Sequence, residues 1–253
     1  ERAKIETDFY RENEGKYSIP VMRALVLKEY FSKKTLYLGD DELIVGEKGK
    51  DPQASPTFPE LCCHTVEDMH IMNDRDIVSY KVTPEDIELQ EKEIIPYWQG
   101  KSMREKILER MTPEWKEAYA AGMFTEFMEQ RGPGHTCGGD RIWTHGYAEY
   151  KQEIQNALDN LDYLNDMDAL DKAEELKAML IDCDAVMILG QRYHDLALEK
   201  ANKEPNPVRR KELLQIAENC SVVPAQKPQT YWQALQAYWF THLAVTSELN
   251  PWD

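Results

Sequence analysis

Thr230-Tyr-Trp-Gln-Ala-Leu-Gln-Ala-Tyr-Trp-Phe-Thr-His-Leu-Ala-Val-Thr-Ser-Glu248 is the stretch that decides the fold. It has helix-forming composition, and Tyr231, Trp232, Leu235, Tyr238, Trp239, Phe240, Leu243 and Val245 place apolar groups on nearly all its sides. Such a helix belongs inside a larger body. It runs straight into Glu248-Leu-Asn-Pro-Trp-Asp253, the last residues of the sequence. A buried helix with nothing after it, in a chain that begins at Glu1 without Met, is expected to be one part of a longer domain. Upstream, Met167–Leu189 carries Leu170, Ala173, Leu176, Met179, Leu180, Cys183, Val186, Met187 and Leu189 at helical spacing. Those positions are expected to form a core stripe, with His194 and Asp195 structural or at the surface of the continuing helix.

Boundary signals divide the rest. Thr83-Pro84-Glu85-Asp86 and Thr112-Pro113-Glu114 each combine a capping hydroxyl, a proline at the first helical position and acids in the first turn. Ser18-Ile-Pro20 predicts a start of the same kind. Tyr147–Leu161 and Pro207–Asn219 read as further helices, Glu204–Pro207 as an interruption, and Val222–Pro228 as extended chain. Ile94-Ile-Pro-Tyr-Trp98 reads as a break with apolar anchors. Leu36-Tyr-Leu38 and Leu43-Ile-Val45, around Gly39-Asp-Asp41, predict two short strands. The fold class is therefore mainly α with a few short strands.

The chain has 253 residues, 42% of them hydrophobic, enough for a sizeable core. Its formal charge of −16 argues against a nucleic-acid partner, which requires clustered cations. No apolar run approaches the roughly 20 residues that cross a bilayer, and no secretory signal is visible. Five cysteines, with no Cys-x-x-Cys, suit reduced thiols in a cytoplasm better than a disulfide framework. Cys62-Cys63-His64 with His70 matches no zinc-ligand spacing.

Phe124–Asp140 is the candidate site stretch. A helical first half ends at Gly132-Pro133-Gly134, and His135, Thr136, Cys137 and the bare pair Gly138-Gly139 follow. From these residues alone, the segment is either a site or an ordinary helix-to-loop connection with a buried, hydrogen-bonded histidine.

Several blocks together resemble the N-terminal part of glycyl radical enzymes of the pyruvate formate-lyase type. They are Glu1-Arg-Ala3, Gly39-Asp-Asp-Glu-Leu-Ile-Val-Gly46, Pro59-Glu60, Arg131-Gly-Pro-Gly-His-Thr136 and Glu248–Asp253. Phe58-Pro-Glu-Leu-Cys-Cys-His64, Met111–Trp115, Gly122–Arg131 and Val222–Ala225 are most similar to the dehydratase branch that acts on trans-4-hydroxy-L-proline. The resemblance implies that residues 1–253 are the N-terminal portion of a single domain, a ten-stranded α/β barrel with outer helices. It implies a glycyl radical, installed by a radical S-adenosylmethionine activating enzyme, a homodimer, and the cytoplasm of an anaerobe.

The resemblance also assigns His135 to assisting loss of the substrate hydroxyl. It assigns Asp253 to accepting a hydrogen bond or proton, and Phe127 to walling the pyrrolidine ring; Thr136 and Asp140 are expected to support them. The family's Cys-x-Glu and Arg-Val-x-Gly-Tyr patterns do not occur in residues 1–253. No cysteine here is therefore assigned as the thiyl residue, and residues 1–253 alone are expected to be inert. Other members of the superfamily, acting on glycerol, propanediol, choline or formate, are the alternative. So is a non-catalytic helical scaffold descended from such an enzyme.

Overall fold

A computed structural model describes residues 1–77, 79–124 and 138–248. Among the described residues twelve α-helices follow in chain order: α1 (Arg2–Asn13), α2 (Ile19–Lys33), α3 (Val66–Asp74), α4 (Pro84–Leu89), α5 (Ile95–Trp98), α6 (Met103–Arg110), α7 (Pro113–Ala120), α8 (Arg141–Thr144), α9 (Tyr147–Asp159), α10 (Ala169–Lys203), α11 (Pro207–Val222) and α12 (Tyr231–Glu248). The π-helical segment Gln90–Ile94 joins α4 to α5. The 35 residues of α10 make a rod about 50 Å long. Helices α2, α9 and α11 pack along it, and α12 closes against α2, α10 and α11. The main core lies between them: Leu27, Tyr30 and Phe31 of α2, Val186, Leu189 and Tyr193 of α10, Leu213 and Ile216 of α11, and Phe240 and Leu243 of α12.

Local capping rules hold where a hydroxyl precedes a first-turn proline and acids, at the starts of α4 and α7. The hydroxyls of Thr83 and Thr112 accept from the amides of Asp86 and Trp115, at 3.2 Å and 3.4 Å. Ser18 stands at the start of α2 but does not cap it; its Oγ donates to Glu174 Oε2 at 2.6 Å and ties α2 to α10. Ile94 and Trp98 are buried, as the apolar anchors predicted, yet the chain does not break there. The π-helical turn absorbs Pro96 by shifting the hydrogen-bond pattern. Leu170 and Met179, expected in the core stripe of α10, face solvent instead. The buried face of that helix is lined largely by small residues, Ala173, Ala178, Ala185, Ala197 and Ala201, which let its neighbours approach closely. At Gly190 a Cβ would lie 2.4 Å from Pro224 Cδ.

Two further expectations fail. Among the described residues there is no strand: residues 36–38 have no regular structure and Leu43-Ile44 form a bend. Their backbone groups are bonded by side chains from the helices. Lys200 Nζ donates to Leu38 O at 2.5 Å, and Arg209 donates to Gly39 O and Glu42 O at 2.9 Å and 3.0 Å. The indoles of Trp232 and Trp239 donate to Leu43 O and Gly46 O at 2.7 Å and 2.8 Å. The amide of Gln236 accepts from Val45 N at 2.9 Å and donates to Val45 O at 2.7 Å, the pair a neighbouring strand would have made. Gly46 permits the approach: its φ is +134°, and a Cβ there would meet Leu243 Cδ1 at 2.4 Å. Residues 223–225 likewise form a turn rather than extended chain. Pro224 O and Ala225 O accept from Tyr147 N and Ala148 N at 2.9 Å and 3.0 Å, serving the first amides of α9.

Candidate functional site

Phe127, His135 and Thr136 fall in residues 125–137, and Asp253 falls in residues 249–253; both stretches lie outside the described residues. The structure does place the chain that flanks them. Before residue 125, Phe124 sits edge-on to Trp115 and Tyr119 of α7, with ring centroids 5.0 Å and 5.8 Å apart. After residue 137, Gly138 and Gly139 both adopt left-handed backbone, φ +68° and +58°, which side-chain-bearing residues avoid. Asp140 is exposed at the start of α8 and makes no side-chain cap bond. Trp143 of α8 stacks on Tyr238 of α12 at 6.2 Å. The chain leaving the His135 segment is thus planted on the helix that leads to Asp253.

The C-terminal end of α12 is held by a buried charge cluster. Arg2 bonds two carbonyls of the last described turn: Nε donates to Ser247 O at 2.8 Å and Nη2 to Glu248 O at 3.1 Å. The rest of the guanidinium is engaged from behind. Nη1 donates to Glu6 Oε2 at 2.7 Å and to Thr57 O at 3.2 Å, and Nη2 donates to Glu60 Oε1 at 2.6 Å. The guanidinium carbon stands over the Phe58 ring, 4.0 Å from its centroid. Three blocks that carried the family resemblance, Glu1–Ala3, Pro59-Glu60 and the start of Glu248–Asp253, therefore meet at one point. A cavity of about 490 Å³ opens beside them, walled by Arg2, Glu6, Arg23, Glu60, Ser247 and Glu248 among others.

The electrostatics are those of charges removed from water. Burial alone would lower the Arg2 pKa, but Glu6 and Glu60 outweigh it and the guanidinium is held charged. Burial pushes the Glu6 carboxyl well up; Arg2 opposes the rise, and Glu60 adds to it. Arg23 pairs with Glu248. Asp182 of α10 feels the same pair: burial first, then Glu248, raise its carboxyl to about 7 against the pull of Arg23. Its Oδ1 has no hydrogen-bond partner among the described residues.

Other polar candidates have structural explanations. Gln90 Nε2 donates to His64 O at 2.6 Å, and His64 lies 3.7 Å from Asp68. Among the described residues, no group of three or more His, Cys, Asp or Glu could hold a metal. Burial raises the thiols of Cys63 and Cys183 to about 11 and of Cys220 to about 12. His194 is bonded through Nδ1 to Ala217 O at 2.7 Å, a structural role. The Arg2 cluster was not legible as a cluster in the sequence. Its only local trace is the Arg2–Glu6 spacing of four residues on one helix.

Residues 1–253 match the family described as pyruvate formate lyase-like. The chain belongs to that family. Within it, the chain is 52% identical to trans-4-hydroxy-L-proline dehydratase of Clostridioides difficile, over 100% of this chain and 32% of that protein. A crystal structure of hydroxyproline dehydratase from Clostridioides difficile with trans-4-hydroxy-L-proline bound superposes with a TM-score of 0.93, covering 99% of this chain and 32% of that one. The glycerol-bound B12-independent glycerol dehydratase from Clostridium butyricum superposes at 0.88 with 28% identity, covering 98% and 32%. The chain spans about a third of the length of the curated relatives it matches. No helix among the described residues is long and apolar enough to cross a membrane.

Proposed function

We propose that this chain is the N-terminal portion of a glycyl radical dehydratase that removes water from trans-4-hydroxy-L-proline and yields pyrroline-5-carboxylate. The observation that carries the reading is the 52% identity to the hydroxyproline enzyme along the whole chain, against 28% for the glycerol enzyme of the same fold. Residues 1–253 carry neither a Cys-x-Glu nor an Arg-Val-x-Gly-Tyr pattern, so no step through the radical is assigned to them. The radical, installed by an activating enzyme, would supply the removal of a hydrogen atom from substrate carbon.

The roles left to this portion are polar and steric. His135 donates a hydrogen bond or proton to the departing 4-hydroxyl, which is a poor leaving group as hydroxide. Asp253 accepts from the ring nitrogen or the hydroxyl and balances charge that develops on the ring. Phe127 walls the apolar edge of the pyrrolidine. The reading also includes an α/β barrel completed by further chain, a homodimer, and the cytoplasm of an anaerobe.

The test uses the full-length protein, activated without oxygen and supplied with hydroxyproline. Mass spectrometry should record loss of water, and His135→Gln should lower kcat by about 10²–10⁴-fold. A well-activated protein that leaves hydroxyproline intact but converts glycerol, propanediol or choline would replace the substrate assignment.

A further inference from the structure

We infer that the corner between α9 and α10 is a docking surface for a second copy of this chain. The inference rests on the homodimer in the reading above and names the surface that makes it. At this corner Leu164, Met167 and Leu170 stand 93%, 99% and 74% exposed. Single exposed apolar side chains are ordinary, but a group of them rimmed by polar residues marks an interface. The corner is not loose chain. Asp162 Oδ1 accepts from the amides of Leu164 and Asn165, both at 3.1 Å. Asp166 Oδ1 accepts from Asp168 N at 3.0 Å, and its Oδ2 from Lys172 Nζ at 2.7 Å. A backbone already fixed in this way loses little ordering entropy on binding.

Charge selects the partner. From Asp159 to Asp171 the chain carries five aspartates and no lysine or arginine. An anionic lipid surface or a nucleic acid would be repelled. The complement is an apolar surface set with cations, and this chain carries one. Met103, Lys106 and Arg110 of α6 are exposed and Ile107 is half-buried, and their spacing of three and four residues puts them on one face. Lys106 and Arg110 pair with no carboxylate among the described residues. All four residues line the cavity of about 490 Å³, as does Ile19, which is 78% exposed. The acidic and basic halves both adjoin the start of α2. Ile19 follows Ser18, whose Oγ is bonded to Glu174, and Leu170 lies one turn before Glu174 on α10. A two-fold axis at that point sets the acidic half of each copy on the basic half of the other, so the contact forms twice and the assembly closes as a dimer. The apolar groups supply affinity, and the charges supply register.

The experiment uses full-length protein, followed by analytical ultracentrifugation over a range of concentrations. The double variant Leu164→Asp, Met167→Asp should raise the dimer dissociation constant at least a hundredfold, since burying each side chain is worth about tenfold to a hundredfold. Both side chains stand in solvent in a single copy, so the melting temperature of the variant at monomeric dilution should match that of the parent. A photo-crosslinking residue in place of Leu164, in dimers mixed from light and nitrogen-15-labelled chains, should join light to heavy chain within residues 101–110. A dimer unchanged by the double variant, or a crosslink that stays within one chain or reaches another surface, would overturn the inference and leave the homodimer standing. A parent protein that is monomeric at every concentration would overturn both. Turnover of hydroxyproline is measured separately, so failure of the substrate assignment does not alter either result.

Discussion

The two ends of α12 are held by different physics. Its N-terminal and middle turns are fixed by neutral contacts. Phe240 and Leu243 enter the core, and Trp232, Gln236 and Trp239 bond the backbone of residues 43–46. Its C-terminal end is fixed by charge, through Arg2, Glu6 and Glu60, with Arg23 on Glu248. Neutral contacts are more forgiving, because an unpaired neutral group costs less than a stranded charge. A buried charge cluster is brittle, because loss of one partner strands the others. The brittle end is the one that leads to the proposed catalytic carboxylate.

That contrast can be broken most forcefully at Arg2. Arg2→Ala should destabilise the protein by about 3–5 kcal/mol, since Glu6 and Glu60 would face each other without a cation. Thermal unfolding of the full-length protein checks it, and a loss below 1 kcal/mol would show that water reaches the cluster.

At the neutral end, Gln236→Met should cost about 2–4 kcal/mol by leaving the buried N–H and C=O of Val45 unpaired. An equal or larger loss than for Arg2→Ala would erase the distinction between the ends.

The smallest effect is expected at Asp182, and it has the opposite sign. Its folded pKa of about 7 lies above the unfolded value, so the folded state binds the proton more tightly and stability falls as pH rises between about 4 and about 7. Asp182→Asn removes that dependence. It should change little at pH 4 and stabilise by about 1–2 kcal/mol at pH 8, below the ceiling the shift implies, because solvent still reaches part of the side chain. Melting temperatures across that pH range would show parallel curves if Asp182 were freely solvated.

Local rules carried well where local chemistry is decisive. Thr83-Pro84 and Thr112-Pro113 start helices because the cap, the proline and the acids all act within one turn. They did less well where a partner decides. Leu36–Leu38 and Leu43–Val45 have the alternation of strands, but extended chain becomes a strand only beside another strand. Here the side chains of α10, α11 and α12 take that place. Beside the candidate site, the sequence marked a bare turn at Gly138-Gly139, and the structure holds both residues in left-handed backbone. His135, Phe127 and Asp253 lie outside the described residues.

The sequence by itself determined the helical register, the capped starts, the need for an enclosing body around α12, and membership in a family through short blocks such as Glu1-Arg-Ala3 and Pro59-Glu60. Only the tertiary structure decided what those blocks are for. Arg2 and Ser247 stand 245 positions apart, and no periodicity or propensity links residues so distant. Their meeting follows from how α1 and α2 lie against α10 and α12, and the cost of an unpaired charge in that interior makes the meeting specific.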